Sequence, residues 1–200
     1  MAEMLSGGDG AVPAMPLGDR KFGGLSVVEE AAPRGMLMVR GDLADPVVAG
    51  AVQAVTKAEM PGKLSMTHGE GAIVCWMSPD ELLVMVPPES RESAAQSMSD
   101  ALSEKHHLVA DVSDMRAVFR VCEPRARDTL AKLVPLDLSP SAFGEGDFRR
   151  TRLAQVAAAV WFEDHADGQA LGVMVMRSHA EYAFGVLRAA AEHGEVSFHR

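Results

Sequence analysis

The sequence predicts an α+β fold in which antiparallel hairpins carry helices on one face. Three observations support this class: strand–turn–strand runs, proline and glycine at the segment ends, and helical apolar stripes in mixed order with the strands. With 48% hydrophobic and 24% charged residues, the 200-residue chain has an ordinary globular composition. We expect one α+β domain over 36–200, preceded by a flexible N-terminal arm over 1–35.

The arm and the first helix follow from local composition. The opening residues are rich in glycine and proline and show little periodicity, which is typical of a flexible segment. A short strand is expected at 36–40. Asp45 and Pro46 then begin a helix, because Asp caps free backbone N–H groups and proline fits the first helical turn. Pro61 and Gly62 end that segment.

The rest of the chain contains two hairpins, each followed by a helix. The first hairpin spans 73–86, and the pattern then predicts a helix from Ser90. The later elements are a strand over 117–122, a helix opened by Glu123–Pro124, a long strand within 149–162, a return strand over 171–176 and a final helix reaching about His193. The runs 82–86 and 171–175 resemble each other, which indicates either an internal repeat or generic hairpin–helix patterning.

The charge balance and the terminal sequence exclude several partners. A net charge of −9 without a long basic run argues against nucleic acid, because phosphate binding needs clustered Lys and Arg. The N-terminal residues lack the apolar core of a signal peptide, and no apolar run approaches the ~20 residues that span a bilayer. We therefore expect a cytoplasmic protein with no membrane partner.

No catalytic, cofactor-binding or metal-binding site is predicted from motifs. The glycine pairs lack the spacing of phosphate-binding loops, and the His-x-Glu sequences at His68 and His193 have no cysteine pair to complete a zinc site. Cys75 and Cys122 lie in apolar runs, where a thiol behaves as a small buried hydrophobe. The many methionines on the strands are expected to fill the core or to form an adaptable contact surface.

The segment from Asp111 to Arg116 is the most distinctive polar feature. Asp111 and Ser113 can bond nearby backbone N–H groups and shape the entry to the next strand. Arg116 can bind a carboxylate through both arms of its guanidinium. The motif is thus interpreted either as a structural turn or as a ligand or subunit contact.

Several segments together resemble the gamma subunit family of heterotetrameric bacterial sarcosine oxidase. The resemblance covers roughly residues 70–192, and it rests on the order and spacing of the motifs rather than on any one of them. The matching segments are 75–84, 109–116, 135–138, Phe143, 150–152 and 177–182. The family is also distantly similar in fold to part of the folate-binding domain of the glycine-cleavage T-protein.

The resemblance implies a structural subunit of an oxidoreductase complex that carries no catalytic residue itself. The complex of this family oxidatively demethylates sarcosine to glycine, transfers the one-carbon unit to tetrahydrofolate and releases hydrogen peroxide. FAD, FMN, NAD, tetrahydrofolate and zinc are then held by other subunits, and the implied partners are the alpha, beta and delta chains.

Two other functions remain open at the level of sequence. A free-standing folate-binding module of the T-protein type would need a carboxylate to hold the pterin N–H groups, with Asp111 or Asp137 as candidates. An uncharacterised enzyme is the third hypothesis, although no motif indicates its chemistry.

Overall fold

The computed structural model describes residues 14–165 and 168–192, and these form four layers in the order helix, sheet, sheet, helix. The helices are α1 (Pro46–Thr56), α2 (Arg91–Ala101), α3 (Ala126–Ala131) and α4 (Ala180–Glu192). The strands are β1 (Lys21–Gly23), β2 (Val27–Glu30), β3 (Gly35–Arg40), β4 (Met66–His68), β5 (Ile73–Ser78), β6 (Glu81–Val86), β7 (Leu108–Asp111), β8 (Arg116–Cys122), β9 (Phe148–Leu153), β10 (Val156–His165) and β11 (Gly168–Met176).

The strands form two antiparallel sheets. One has six strands in the order β1-β2-β8-β11-β10-β9, and the other has five in the order β4-β5-β6-β3-β7. The inner faces of the two sheets pack against each other, while α3 and α4 cover the outer face of the six-stranded sheet and α1 and α2 that of the five-stranded sheet. The α+β prediction is therefore confirmed, with helices on one face of each sheet.

Local sequence explains where α1 begins and ends. The Asp45 carboxylate accepts a hydrogen bond from the backbone N–H of Val47 at 2.8 Å, and Pro46 occupies the first helical position. The helix ends where Lys57 adopts a left-handed conformation with φ of 58° and donates its backbone N–H to Gln53. Val48, Ala51 and Val52 lie on its buried face.

The core between the sheets is rich in methionine. Among the residues described, Met36, Met66, Met77, Met85 and Met174 are buried there, whereas Met38 is only half-buried at its margin. The flexible thioether side chains fill an irregular space between two twisted surfaces. Core filling is thus the role that these five methionines take within the chain.

The N-terminal region differs from the sequence-based prediction of a flexible arm over 1–35. Residues 1–13 lie outside the described residues, but 21–23 and 27–30 form β1 and β2, and Val28 is fully buried. The buried Glu30 carboxylate accepts backbone N–H groups from residues 17, 19 and 20 at 2.9–3.4 Å. These strands are too short to produce a periodic pattern, and a buried carboxylate bound by backbone amides cannot be recognised from sequence.

The long strand expected within 149–162 is a hairpin. β9 and β10 are joined by a two-residue turn at Ala154 and Gln155, with Ala154 at a φ of 49°. Alanine and glutamine are not the residues that typically mark such turns, so the sequence carried no signal for it. The last helix is described as far as Glu192, so its expected end near His193 lies outside the described residues.

Candidate functional site

The segment 111–116 connects the two sheets. Asp111 ends β7, and Arg116 begins β8 in the other sheet. The Asp111 carboxylate accepts hydrogen bonds from the Ser113 backbone N–H at 2.9 Å and from the Ser113 hydroxyl, which itself accepts from the Met36 backbone N–H at 2.9 Å. These bonds fix the turn and tie it to β3.

The second oxygen of the Asp111 carboxylate also has a partner inside the protein. Arg91 donates from Nε to Asp111 Oδ2 at 3.2 Å, and it donates from Nη1 to the Pro88 carbonyl at 3.1 Å. Both Asp111 oxygens therefore take part in intramolecular contacts. This arrangement shapes the connection between the two sheets.

Arg116 lies apart from the turn bonds made by its neighbours. It is half-buried, and within the described residues its Nε is buried without a hydrogen-bond partner. Burial lowers the pKa of Arg116, nearby Glu81 raises it and nearby Arg150 lowers it. The sequence motif is thus divided: Asp111 and Ser113 build the turn, and Arg116 belongs to a different environment shared with Glu81 and Arg150.

A buried ion-pair network was missed by sequence reasoning. Glu163 Oε1 accepts from Arg120 at 3.0 Å and also from Arg34, while Arg120 lies 3.8 Å from the carboxylate of Glu29. Arg120 lies between Val118 and Cys122 on one face of β8. An arginine at such a position is the one signal that could have indicated a buried acidic partner.

Several grooves lie on the surface of the described residues, and Asp137 lines one of them. The groove beside α3 has a volume of about 430 Å³ and is lined by Asp137 with Arg127, Asp128 and Leu136, among others. The backbone N–H of Ser139 bonds to the Asp137 carboxylate at 2.9 Å and lowers the pKa of Asp137. Asp111 is not among the residues that line this groove, so the two folate candidates lie at different places.

Another groove, about 540 Å³, lies between α1 and α2 and is lined mainly by Ala and Ser side chains.

The part of the chain that the structure describes contains no cluster of side chains suited to hold a metal ion. Within 14–165 and 168–192, no three His, Cys, Asp or Glu side chains stand close enough to hold a metal ion. His193 lies outside these ranges. Cys75 and Cys122 are both buried and free, and burial raises the pKa of the Cys75 thiol. Among the described helices, none is long and apolar enough to cross a membrane.

Comparison with known proteins finds a matching family and similar curated proteins. The family described as "Sarcosine oxidase, gamma subunit family" matches residues 40–193. The gamma subunit of sarcosine oxidase from Corynebacterium sp. (strain P-1) is 36% identical over 104 residues, which is 51% of this chain and 50% of that protein. The Arthrobacter sp. gamma subunit is 33% identical over 113 residues, 56% of this chain and 55% of that one. The matched region thus spans about half the length of these curated relatives.

Solved structures extend the likeness to most of the chain. A chain of the heterotetrameric sarcosine oxidase from Corynebacterium sp. U-96, solved with pyrrole 2-carboxylate, matches with a TM-score of 0.74 and 25% identity, covering 88% of this chain and 91% of that one. Aminomethyltransferase T of the glycine cleavage system from Bartonella henselae matches with a TM-score of 0.58 and 9% identity, covering 79% and 44%. The second likeness concerns the fold alone.

Proposed function

Because the chain belongs to the sarcosine oxidase gamma subunit family, we propose that it is the non-catalytic gamma subunit of a heterotetrameric sarcosine oxidase. The observation that carries the proposal is the match to a chain of such a heterotetramer over 88% of this chain and 91% of that one. The reaction of the complex would be oxidative demethylation of sarcosine to glycine, with transfer of the one-carbon unit to tetrahydrofolate and release of hydrogen peroxide. The alpha, beta and delta subunits would be the partners, in the cytoplasm.

The contacts of the polar side chains support a bracing role. The most buried carboxylates, Glu30 and Glu163, bind backbone amides and arginines of the same chain, and Asp111 is held by Ser113 and Arg91. Groups used in this way stiffen a scaffold. In this proposal FAD, FMN, NAD, tetrahydrofolate and zinc are held by the other subunits, and Asp111 and Ser113 act by shaping the connection between the sheets.

Co-expression with and without this chain tests the proposal. The three other subunits of the source organism's complex are produced with a tagged copy of this chain, and the eluate is analysed by native mass spectrometry and by flavin absorbance. We expect one yellow complex containing this chain, and no flavin or sarcosine oxidation with the chain alone. A chain that elutes alone and colourless, or that turns over sarcosine by itself, would contradict the proposal.

Calorimetry with reduced folate separates the folate-module hypothesis from the subunit proposal. The isolated chain is titrated with tetrahydrofolate, and the Asp137→Asn variant serves as the comparison because Asp137 is the folate candidate that lines a groove. The subunit proposal predicts no heat of binding for either protein. Saturable binding that Asp137→Asn weakens would favour the folate module.

A further inference from the structure

The two ends of the core between the sheets carry arginines in opposite electrostatic situations. At one end, Arg34 and Arg120 share the carboxylate of Glu163, and Arg120 also lies 3.8 Å from the carboxylate of Glu29. At the other end, Arg116 and Arg150 lie near each other, and neither forms an ion pair with a carboxylate of the described residues. The two ends of the same core therefore differ in whether their arginines contact carboxylates of this chain.

Strand register places three arginines on the same face of the six-stranded sheet. Arg150 pairs with Ala159, which pairs with Met174, and these two side chains belong to the core between the sheets. Arg152 lies two residues beyond Arg150 on β9, and Arg116 lies two residues before Val118 on β8, which also belongs to that core. Because side chains alternate along a strand, all three arginines point to the inner face, at the margin of the core.

The same register places two small or flexible apolar residues among these cations. Met176 pairs with Arg116, and Ala157 pairs with Arg152; Met176 is half-buried and Ala157 is exposed. We call the surface formed by Arg116, Arg150, Arg152, Met176 and Ala157 the arginine face. Arginine and methionine are residue types enriched at protein interfaces.

No carboxylate of the described residues lies within 4.0 Å of the guanidinium nitrogens of these three arginines. Arg150 donates to the Met77 carbonyl at 3.1 Å and Arg152 to the side-chain amide oxygen of Gln155 at 3.2 Å. The acidic group whose charge acts on Arg116 is Glu81, which is already 3.6 Å from Arg40. The arginine face therefore keeps a positive charge on a chain whose net charge is −9.

We propose that the arginine face binds an acidic segment of a partner subunit, with Asp or Glu carboxylates on Arg116, Arg150 and Arg152 and an apolar side chain against Met176 and Ala157. This inference rests on the proposed role as a subunit and adds the chemistry of the contact. Two exposed arginines and one half-buried arginine offer forked donors that fit carboxylates in bidentate geometry.

Competition during assembly tests the inference on the complete complex. Wild-type chain and the double variant Arg150→Glu/Arg152→Glu, distinguishable by mass, are co-expressed with the other three subunits. The ratio of the two chains in the purified complex is then divided by their ratio in the soluble lysate. Since both arginines are exposed, the variant retains its fold, which its circular dichroism spectrum and urea midpoint check.

The matched control reverses the same amount of charge elsewhere. Lys57→Glu/Arg188→Glu changes two exposed cations, one directly after the end of α1 and one on α4, away from the arginine face. We expect the arginine-face variant to be depleted in the complex by about tenfold or more, since like-charge contacts at an interface are strongly unfavourable. The control is expected to stay near a ratio of one. High salt should reduce the difference because it screens the charges.

The possible outcomes distinguish a failure of this inference from a failure of the proposed function. Equal incorporation of the arginine-face variant and the wild type overturns the inference and leaves the subunit role standing. Equal depletion of both double variants also overturns it, because the effect would then come from net charge alone. If the wild-type chain does not enter the complex, the proposed function itself is wrong. Retention of the isolated wild-type chain on immobilised single-stranded DNA, lost in the variant, would instead indicate a nucleic-acid surface.

Discussion

Residues 35–101 and 116–192 fold into two units with the same order of elements. Each has a strand, a helix, three further strands and a second α-helix, and the strand order β4-β5-β6-β3 in one sheet repeats as β9-β10-β11-β8 in the other. An additional antiparallel strand flanks each unit: β7 beside β3, and β2 beside β8. The resemblance of 82–86 to 171–175 therefore marks a real repeat of topology, in which Leu83 corresponds to Gly172.

The corresponding rows of side chains differ in how volume and charge are distributed. Both rows cross their sheet on its inner face. The row of the first unit consists of side chains of intermediate size, whereas the row of the second unit places a tryptophan next to a glycine. The rows are Met66, Cys75, Leu83 and Met38 in the first unit, and Phe148, Trp161, Gly172 and Arg120 in the second. The comparison shows that one topology accepts different cores provided that neighbouring volumes remain complementary.

The outer faces differ as well. The connection between α1 and β4 covers 57–65, whereas the connection between α3 and β9 covers 132–147 and contributes three buried side chains, Val134, Leu138 and Phe143. The second unit thus uses a loop where the first uses a longer helix, since α3 has 6 residues and α1 has 11.

The largest expected effect comes from replacing Trp161 and Gly172 of the second unit with Cys and Leu, the residues at the corresponding positions of the first unit. A Cβ at position 172 would lie 2.3 Å from the Trp161 ring, so Gly172→Leu cannot be accommodated. Trp161→Cys removes a fully buried ring and is expected to cost about 3–5 kcal/mol of unfolding free energy. The double variant imports the Cys–Leu pair of the first unit and should recover part of the loss. Urea unfolding followed by far-UV circular dichroism measures all three. No recovery in the double variant would mean that the two sites are not complementary.

The next effect concerns Arg120 of the second row and the Glu163 carboxylate that it shares with Arg34. Glu163→Gln leaves Arg34 and Arg120 without their shared counter-charge, and we expect a loss of about 2–3 kcal/mol because both arginines are mostly buried. The exposed pair of Arg20 and Glu181 provides the control, since Glu181→Gln should cost under about 1 kcal/mol. Denaturant midpoints of the two variants give the difference. Equal midpoints would contradict the structural importance of the buried network.

Two carboxylates at corresponding positions allow a more local test. Glu30 pairs with Phe119 as Asp111 pairs with Leu37, but Glu30 is buried while Asp111 is exposed. Glu30→Gln should cost about 1–3 kcal/mol, because a buried group that receives several backbone N–H bonds is altered. Amide hydrogen exchange at residues 17, 19 and 20 should accelerate. Asp111→Asn should have the smaller effect, and the reverse order would refute the comparison.

The smallest effect is the pH dependence of the Asp45 helix cap of α1, which α3 at the corresponding place in the second unit lacks. Hydrogen bonds from Lys105 and from the Val47 backbone hold the pKa of Asp45 below its ordinary value, whereas α3 has no side-chain cap. A lowered pKa in the folded state means that the Asp45 contribution is present above the unfolded pKa and is lost as the pH falls through the folded pKa. The Tm difference between wild type and Asp45→Asn should therefore shrink from pH 7 to pH 3. A gap that stays constant would exclude this charge effect.

The elements with strong periodic or turn signals were predictable. The hairpin of β5 and β6, the start of α1 at Asp45–Pro46 and the buried methionines of the strands all follow from local patterns. The short strands β1, β2, β4 and β7 were not predicted, because three or four residues carry no measurable period. Their pairing depends on partners far along the chain, such as the match of β2 with β8.

The candidate site was predictable only in part. Asp111 and Ser113 form the turn that their side-chain chemistry indicated, and the role of Arg116 as a subunit contact stays a prediction. Its grouping with Arg150 and Arg152 could not be found from sequence, since these residues come from β8 and β9, which are separated by two strands of the same sheet. The pair of Glu163 with Arg34 was likewise invisible, because the two residues are 129 positions apart.

By itself the sequence determined the fold class, the helix cap at Asp45, the turn chemistry of Asp111 and Ser113, and the family resemblance. These depend on spacing, backbone preference and side chains within a few residues of each other. Only the tertiary structure decided that two repeated units place their sheets face to face, that Trp161 fills the space left by Gly172, and which arginines meet carboxylates. Those outcomes depend on strand register and on volumes brought together from distant parts of the chain, which local sequence does not encode.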